Sequence, residues 1–213
     1  MIMSNAKLFI VSAPSGCGKG TILSEFFDGK KVFNSVSCTT RGPRVGEVDG
    51  VHYHFIDDET FQKMIDENGF LEYAKFASNA YGTPSKPVLE NLENGVDVIL
   101  EIETQGAFQV KKAMPEAVML FILPPSVKEL KRRLFKRGTE KEDVIEQRLS
   151  KAVGEIEQSY KYEYVIMNDE LDDAVNDFKT VFESVKNGDS NADKFNPSNE
   201  NIKNMIDGVL KNA

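Results

Sequence analysis

The stretch Ile10-Val11-Ser12-Ala13-Pro14-Ser15-Gly16-Cys17-Gly18-Lys19-Gly20-Thr21 constrains this chain more than any other. The residues just before it, Lys7 to Val11, are almost continuously apolar instead of alternating, which predicts a strand of a parallel sheet covered on both faces. It ends in a glycine-rich turn and a lysine. Gly16 and Gly18 have no Cβ, so the backbone can curl tightly and turn its N–H groups toward an anion. The helix that follows, roughly Gly18 to Phe27, aims its partly positive N-terminus at the same spot. Lys19 adds a full charge on a long stem, and Ile22, Leu23, Phe26 and Phe27 give the helix a core face. A strand, loop and helix of this kind form a phosphate cradle of the pattern G-x-x-x-x-G-K-[ST]. Two positions depart from it. Ala13 stands where the first glycine is usual, and Gly20 stands where the magnesium-binding hydroxyl is usual, with Thr21 one place later. Cys17 invites a reactive-thiol reading, since helix N-termini lower thiol pKa values; a small side chain tolerated in the loop is the simpler explanation.

Bulk properties narrow the classes. A chain of 213 residues suits one compact domain with insertions, or two small ones. Its 26 Lys plus Arg against 34 Asp plus Glu give a formal charge of −8. That balance argues against a general nucleic-acid or anionic-membrane surface. No stretch is long and apolar enough for a transmembrane helix and no basic-then-apolar leader begins the chain, so a soluble, cytoplasmic protein is expected. Two cysteines give no disulfide framework. His52 and His54, with no cysteine or further histidine nearby, make a poor metal site. The arginines are unevenly placed: Arg41 with Arg44, and Arg132, Arg133, Arg137 and Arg148. Gathered arginines in an acidic protein suggest a local site for a highly charged small ligand.

Along the chain, a Gly/Pro-punctuated loop carries Arg41 and Arg44, and residues 53–82 read as a small α+β insert. Its parts are a strand Tyr53–Ile56, a helix Asp58–Asn68 ended by Gly69, and a strand Leu71–Phe76. Ser85 is expected to cap a helix through Asn94. Val96–Glu103 returns to a buried strand with acids at its carboxyl end, where open α/β sheets meet ligands. Gln105-Gly106 opens a helix, and Val118–Leu123 and Tyr164–Asn168 are further core strands. Ser126 with Glu129 reads as a capping box for a helix Val127–Arg137, and Thr139 with Glu142 opens the next helix. A helical stripe from Leu171 ends near Gly188. A polar linker, 189–199, leads to an amphipathic helix carrying Ile202, Met205, Ile206, Val209 and Leu210, which could dock on the body or on a second subunit.

These residues resemble the guanylate kinases, nucleoside-monophosphate kinases of the P-loop type. The resemblance runs from about Lys7 to Val185 and rests on the cradle, Val36–Glu47, Tyr53-His54-Phe55, Phe70–Ala74 and Tyr81-Gly82-Thr83. It continues through Leu100–Gly106, Arg137–Glu140, Gln147-Arg148-Leu149 and Asn168-Asp169. It implies an α/β fold with a parallel-sheet kinase core (1–36, 90–125 and 159–188), a GMP-binding region (37–89) and a helical lid (126–158), one domain of about 5–186. It also implies ATP and GMP as substrates, with Mg²⁺ held mainly by ATP and water and Thr21 as the candidate protein ligand. By the family pattern, Ala13, Pro14, Ser15, Gly16, Cys17, Gly18, Lys19, Gly20, Thr21, Arg137 and Asn168 would bind ATP. Arg41, Arg44, Tyr53 and Tyr81 would hold the GMP phosphate, while Ser37, Glu72, Thr83 and Glu101 would read guanine. Lys19, Arg44, Arg133, Arg137 and Arg148 would act on the transferring phosphoryl. Where the family usually has aspartates, this chain has Glu101 and Glu103, which keep the charge and reach one methylene further. Kinase-like modules of scaffold proteins share the fold without catalysing, but are expected to have lost the lysine that stands here as Lys19. A related kinase for another phosphorylated small molecule is the second alternative, against which Glu72, Ser37 and Thr83 argue for guanine, because a carboxylate accepts from both the N1–H and the exocyclic amine.

Overall fold

The computed structural model describes residues 5–27, 31–76, 78–137 and 142–211. In chain order come β1 (Leu8–Ser12), α1 (Lys19–Phe27), β2 (Val32–Ser35), β3 (Cys38–Thr39), β4 (His54–Phe55), α2 (Asp58–Asp66), β5 (Phe70–Phe76) and β6 (Asn79–Pro84). Then follow α3 (Ser85–Glu93), β7 (Asp97–Glu101), α4 (Thr104–Ala113), β8 (Val118–Leu123), α5 (Val127–Arg137), α6 (Glu142–Gln158), β9 (Tyr164–Met167), α7 (Leu171–Asn187) and α8 (Glu200–Lys211). Five strands form one sheet in the order β2-β7-β1-β8-β9, and four form a second, β4-β3-β6-β5. All five residues of β1 are buried, as a continuously apolar strand of an inner sheet position requires. The chain divides into two compact units, Met1–Ile10 with Lys31–Val118 and Val11–Lys30 with Met119–Ala213.

In the first unit β2 and β7 run parallel, Val32 opposite Asp97 and Ser35 opposite Leu100. The buried Asp97 carboxylate accepts the Lys7 N–H at 2.8 Å. The small sheet pairs β3 parallel with β4 and antiparallel with β6, and leaves β5 at an edge with Glu72 opposite Thr83. Cys38, Phe61 and Ala80 form its core, with Ile56, Met64, Ile65 and Phe70 packed around them. Helix α2 starts where Asp57 accepts the Thr60 N–H at 2.7 Å. It ends two residues short of Asn68, at Asp66 with Glu67 as its cap; Asn68, not Gly69, takes the left-handed conformation (φ 54°), and the Gly69 N–H reaches back to the Met64 carbonyl at 2.7 Å.

In the second unit β8 and β9 run parallel from Leu120 opposite Tyr164 to Leu123 opposite Met167. Helix α1 packs on α7 through Phe26, whose ring meets Phe178 at 4.7 Å and Phe182 at 4.9 Å edge-on. Helix α8 lies on α6, burying Ile202, Ile206 and Val209, while the Tyr160 hydroxyl donates to Asp207 at 2.5 Å.

Several expectations are corrected. The 189–199 segment is not a bare polar linker: it holds a 3₁₀ turn, Asp193–Phe195, buries Ala192 and Phe195, and Asn196 Nδ2 donates to the Glu163 carbonyl at 3.1 Å. Ser85 does not cap α3, because its hydroxyl donates to the Gly69 carbonyl at 3.0 Å and Pro84 is the cap residue. The 96–103 strand is shorter, Asp97–Glu101, and Glu103 is the N-cap residue of α4. The Ser126–Glu129 box is half made: the Glu129 N–H donates to Ser126 Oγ at 3.0 Å, but the Glu129 carboxylate turns to arginines. The proposed opening of α6 at Thr139 and Glu142 lies outside the described residues and side chains.

Candidate functional site

The second unit holds the glycine-rich loop read from the sequence as a phosphate cradle. Gly16 and Gly18 both sit at φ 91°, a region L side chains rarely enter. Space reinforces that demand, since a Cβ on Gly18 would fall 2.5 Å from Asn168 Nδ2 and one on Gly16 2.8 Å from Leu134 Cδ2. The loop is tied from below. Cys17 N–H donates to the Pro14 carbonyl at 3.0 Å, the buried Asn168 amide donates to the Cys17 carbonyl at 2.6 Å, and Cys17 Sγ donates to the Ile122 carbonyl at 3.4 Å. Ala13, Pro14 and Cys17 are buried, Ser15, Gly20 and Thr21 exposed, and Lys19 half-buried at the first position of α1. Burial pushes the Cys17 thiol up to about 12 against the pull of Arg133 and Lys19, so the side chain is packing and not a nucleophile.

Two arginines meet this loop. Arg133 Nη1 donates to the Asn168 carbonyl at 3.2 Å and to the Cys17 carbonyl at 3.5 Å, while its Nε is held by Glu129 at 2.9 Å. Arg148 Nη1 donates to Ser15 Oγ at 2.9 Å. Arg132 takes the Glu129 carboxylate with both Nε and Nη2 at 2.7 Å. Hydrogen bonds from Arg132, then from Arg133, hold the Glu129 carboxyl down to about 2, so it stays charged at any working pH. Lys131 bridges to Glu146 at 2.5 Å, linking α5 to α6. Arg137 closes α5, but its side chain lies outside the described residues.

The first unit gathers the other set. Thr83 donates its hydroxyl to Glu72 Oε1 at 2.7 Å, joining directly opposed residues of β6 and β5. Both are buried, and desolvation, offset in part by Thr83, raises the Glu72 carboxyl above the usual glutamate range; the charge of Glu103 pushes the same way. Arg41 is gripped by Glu47 through Nη1 and Nη2, both at 2.9 Å, and stacks 5.6 Å from the Tyr53 ring centre and 5.8 Å from that of Phe55. Its proton is held tighter still, by the Glu47 contact first and then, after burial's opposing pull, by a hydrogen bond with Tyr81. Tyr53 meets Tyr81 edge-on at 5.9 Å, and burial followed by the charge of Glu101 raises its phenol. Arg44 is exposed and its N–H donates to Glu47 at 2.8 Å. Ser37 is half-buried between β2 and β3, its carbonyl accepting the His54 N–H at 2.9 Å.

Arg41, Tyr53 and Tyr81 therefore make one cationic, hydroxyl-bearing cluster, and Glu72 with Thr83 a separate acidic one. The guanylate kinase family model matches residues 5–185. The chain belongs to the guanylate kinase family. It is 49% identical over 207 residues to a guanylate kinase of Carboxydothermus hydrogenoformans, covering 97% of this chain and 98% of that one. A guanylate kinase of Thermus thermophilus is 50% identical over 175 residues, covering 82% and 80% of the two chains. The crystal structure of guanylate kinase from Anaplasma phagocytophilum superposes with a TM-score of 0.72 at 30% identity, covering 86% of this chain and 87% of that one. Sequence reasoning missed what Glu47 and Glu129 do for their arginines and how Asn168 supports the loop. Spacing could have flagged Glu129, three and four residues before its partners on one helix; no local pattern announces a six-residue reach across a turn or a strand-end amide under a distant loop. Among the described residues no group of three or more His, Cys, Asp or Glu is arranged to hold a metal, and no helix is long and apolar enough to cross a membrane.

Proposed function

We propose that this guanylate kinase family chain transfers the γ-phosphoryl of ATP to a phosphate oxygen of GMP, and of dGMP, giving ADP and the nucleoside diphosphate in the cytosol. The observation that carries the reading is the buried Glu72 carboxylate with one oxygen fixed by Thr83. Among the described residues no cation pairs with Glu72, and a buried acid in that setting is costly unless a ligand supplies donors. Guanine supplies two, at N1 and the exocyclic amine, whereas adenine presents an acceptor at N1. Ser37 and Glu101 complete the base contacts, and Arg41, Arg44, Tyr53 and Tyr81 hold the acceptor phosphate.

On the donor side, residues Ala13 to Thr21 wrap the ATP phosphates with main-chain N–H groups, with Lys19 reaching the outer ones and Asn168 and Arg137 completing the ATP contacts. The acceptor oxygen attacks the γ-phosphorus in line, the bond to the β,γ-bridging oxygen breaks, and the electron pair leaves with ADP. Positioning and charge neutralisation supply most of the catalysis in such a transfer, which is the work assigned to Lys19, Arg44, Arg133, Arg137 and Arg148. Thr21, in the first turn of α1, is the residue that would help hold Mg²⁺ brought by ATP, and the ion would neutralise phosphate charge. Movement of the arginine-bearing helices α5 and α6 onto the phosphates would keep water from the γ-phosphoryl. Lys19→Ala is the test. Turnover with ATP and GMP should drop by about 10² or more while calorimetric GMP affinity changes less than about threefold; a variant with near-normal turnover removes Lys19 from its role.

A further inference from the structure

Strand β5 is an edge of the small sheet, so the main-chain groups it turns away from β6 need another partner. Gln109 of α4 supplies one. Its Nε2 donates to the Tyr73 carbonyl at 3.0 Å and its Oε1 accepts the Tyr73 N–H at 3.4 Å, so one side-chain amide stands in for a neighbouring strand beside Glu72. One turn earlier on the same helix face sits buried Gly106. A Cβ there would lie 2.4 Å from Glu72 Oε2 and 2.8 Å from its Cδ. Glycine weakens a helix relative to alanine, so its presence in the first turn of α4 calls for a reason in packing. The reason is a carboxylate: Thr83 fixes Oε1 from one side, and α4 can approach Oε2 from the other only where no side chain intervenes.

We infer that Gly106 and Gln109 are positioning residues for base selection, Gly106 leaving the room in which the Glu72 carboxylate stands and Gln109 locking the strand that carries it. The inference rests on Glu72 being the guanine reader. A Cβ at 106 forces the carboxylate off Thr83 or moves α4, and in either case the oxygens no longer face the base at hydrogen-bond distance. Loss of Gln109 frees the β5 edge and broadens the carboxylate's position without touching it.

A double-mutant cycle on the full-length protein tests this, reading GMP and IMP affinity by calorimetry because hypoxanthine lacks the exocyclic amine. Gly106→Ala should lower the GMP-over-IMP preference by about tenfold with ATP affinity unchanged, and should lower it no further in a Glu72→Ala background. Gln109→Leu should lower it about threefold, and serves if the Gly106 variant folds poorly. If Glu72→Ala abolishes the preference but Gly106→Ala and Gln109→Leu leave it intact, positioning by α4 is overturned and the base-reading assignment survives. An equal loss from Gly106→Ala with and without Glu72 also overturns it, since the effect then does not pass through the carboxylate. If Glu72→Ala itself preserves the preference, the base-reading assignment falls and the inference with it.

Discussion

On the proposed reading Glu72 must be charged to accept from guanine, yet it is placed where burial disfavours charge. Its carboxyl sits above the usual glutamate range, mainly through desolvation, so acid protonates it sooner than an exposed glutamate. If Glu72 reads guanine as proposed, binding needs the carboxylate, so the GMP-over-IMP preference should be flat near neutrality and decline on acidification, with a midpoint above the ordinary glutamate pKa. Both nucleotides carry the same phosphate, so its own titration cancels in the ratio. Thr83 opposes the shift, and Thr83→Val should therefore move the decline to higher pH. A preference independent of pH down to the ordinary glutamate range would contradict the assignment. At this scale the family pattern names Lys19, Arg41, Glu72 and Thr83, and the fold sets Thr83 against Glu72 and Arg41 against Tyr53. The sequence was silent about partners, because Glu47 and Glu129 meet their arginines through side-chain geometry that residue order leaves open.

Among the elements, β1, α1, β8 and α7 were readable because each buries a long apolar run or stripe. The small sheet was readable only in part: strands Tyr53–Ile56 and Leu71–Phe76 were expected and appear as β4 and β5. Strand β3 is two residues long and β6 carries Gly82 and Pro84, so no alternation announces those two. Gly82 is there because Phe70 lies 2.9 Å from where its Cβ would be, a constraint arising only once β5 pairs with β6. The cradle shows the same limit: its glycines advertise a turn, while the strut beneath comes from Asn168, 151 residues beyond the Cys17 carbonyl it holds. Asn168→Ala removes that bond and leaves the carbonyl to relax. The KM for ATP should rise by about tenfold with the KM for GMP unchanged. Equal effects on both nucleotides would show that the residue serves general stability.

Across the whole molecule, the residues assigned to the two substrates fall into different compact units. Ser37, Arg41, Arg44, Tyr53, Glu72, Tyr81, Thr83 and Glu101 belong to one, and the cradle, Arg133, Arg137, Arg148 and Asn168 to the other. The division into core, GMP-binding region and lid came from the family resemblance, and by contacts the cradle and helices α5 and α6 share one compact unit. The C-terminal segment was the least legible part. Its amphipathic stripe was plain, yet only the fold shows that α6 is the surface it covers and that Phe195 anchors the approach to it. The most direct measurement is kcat/KM with ATP as donor and GMP, dGMP, AMP or UMP as acceptor. GMP and dGMP should exceed AMP and UMP by about 10⁴, the margin a buried site built for paired donors can impose; equal kcat/KM for GMP and AMP would contradict recognition of the base by Glu72.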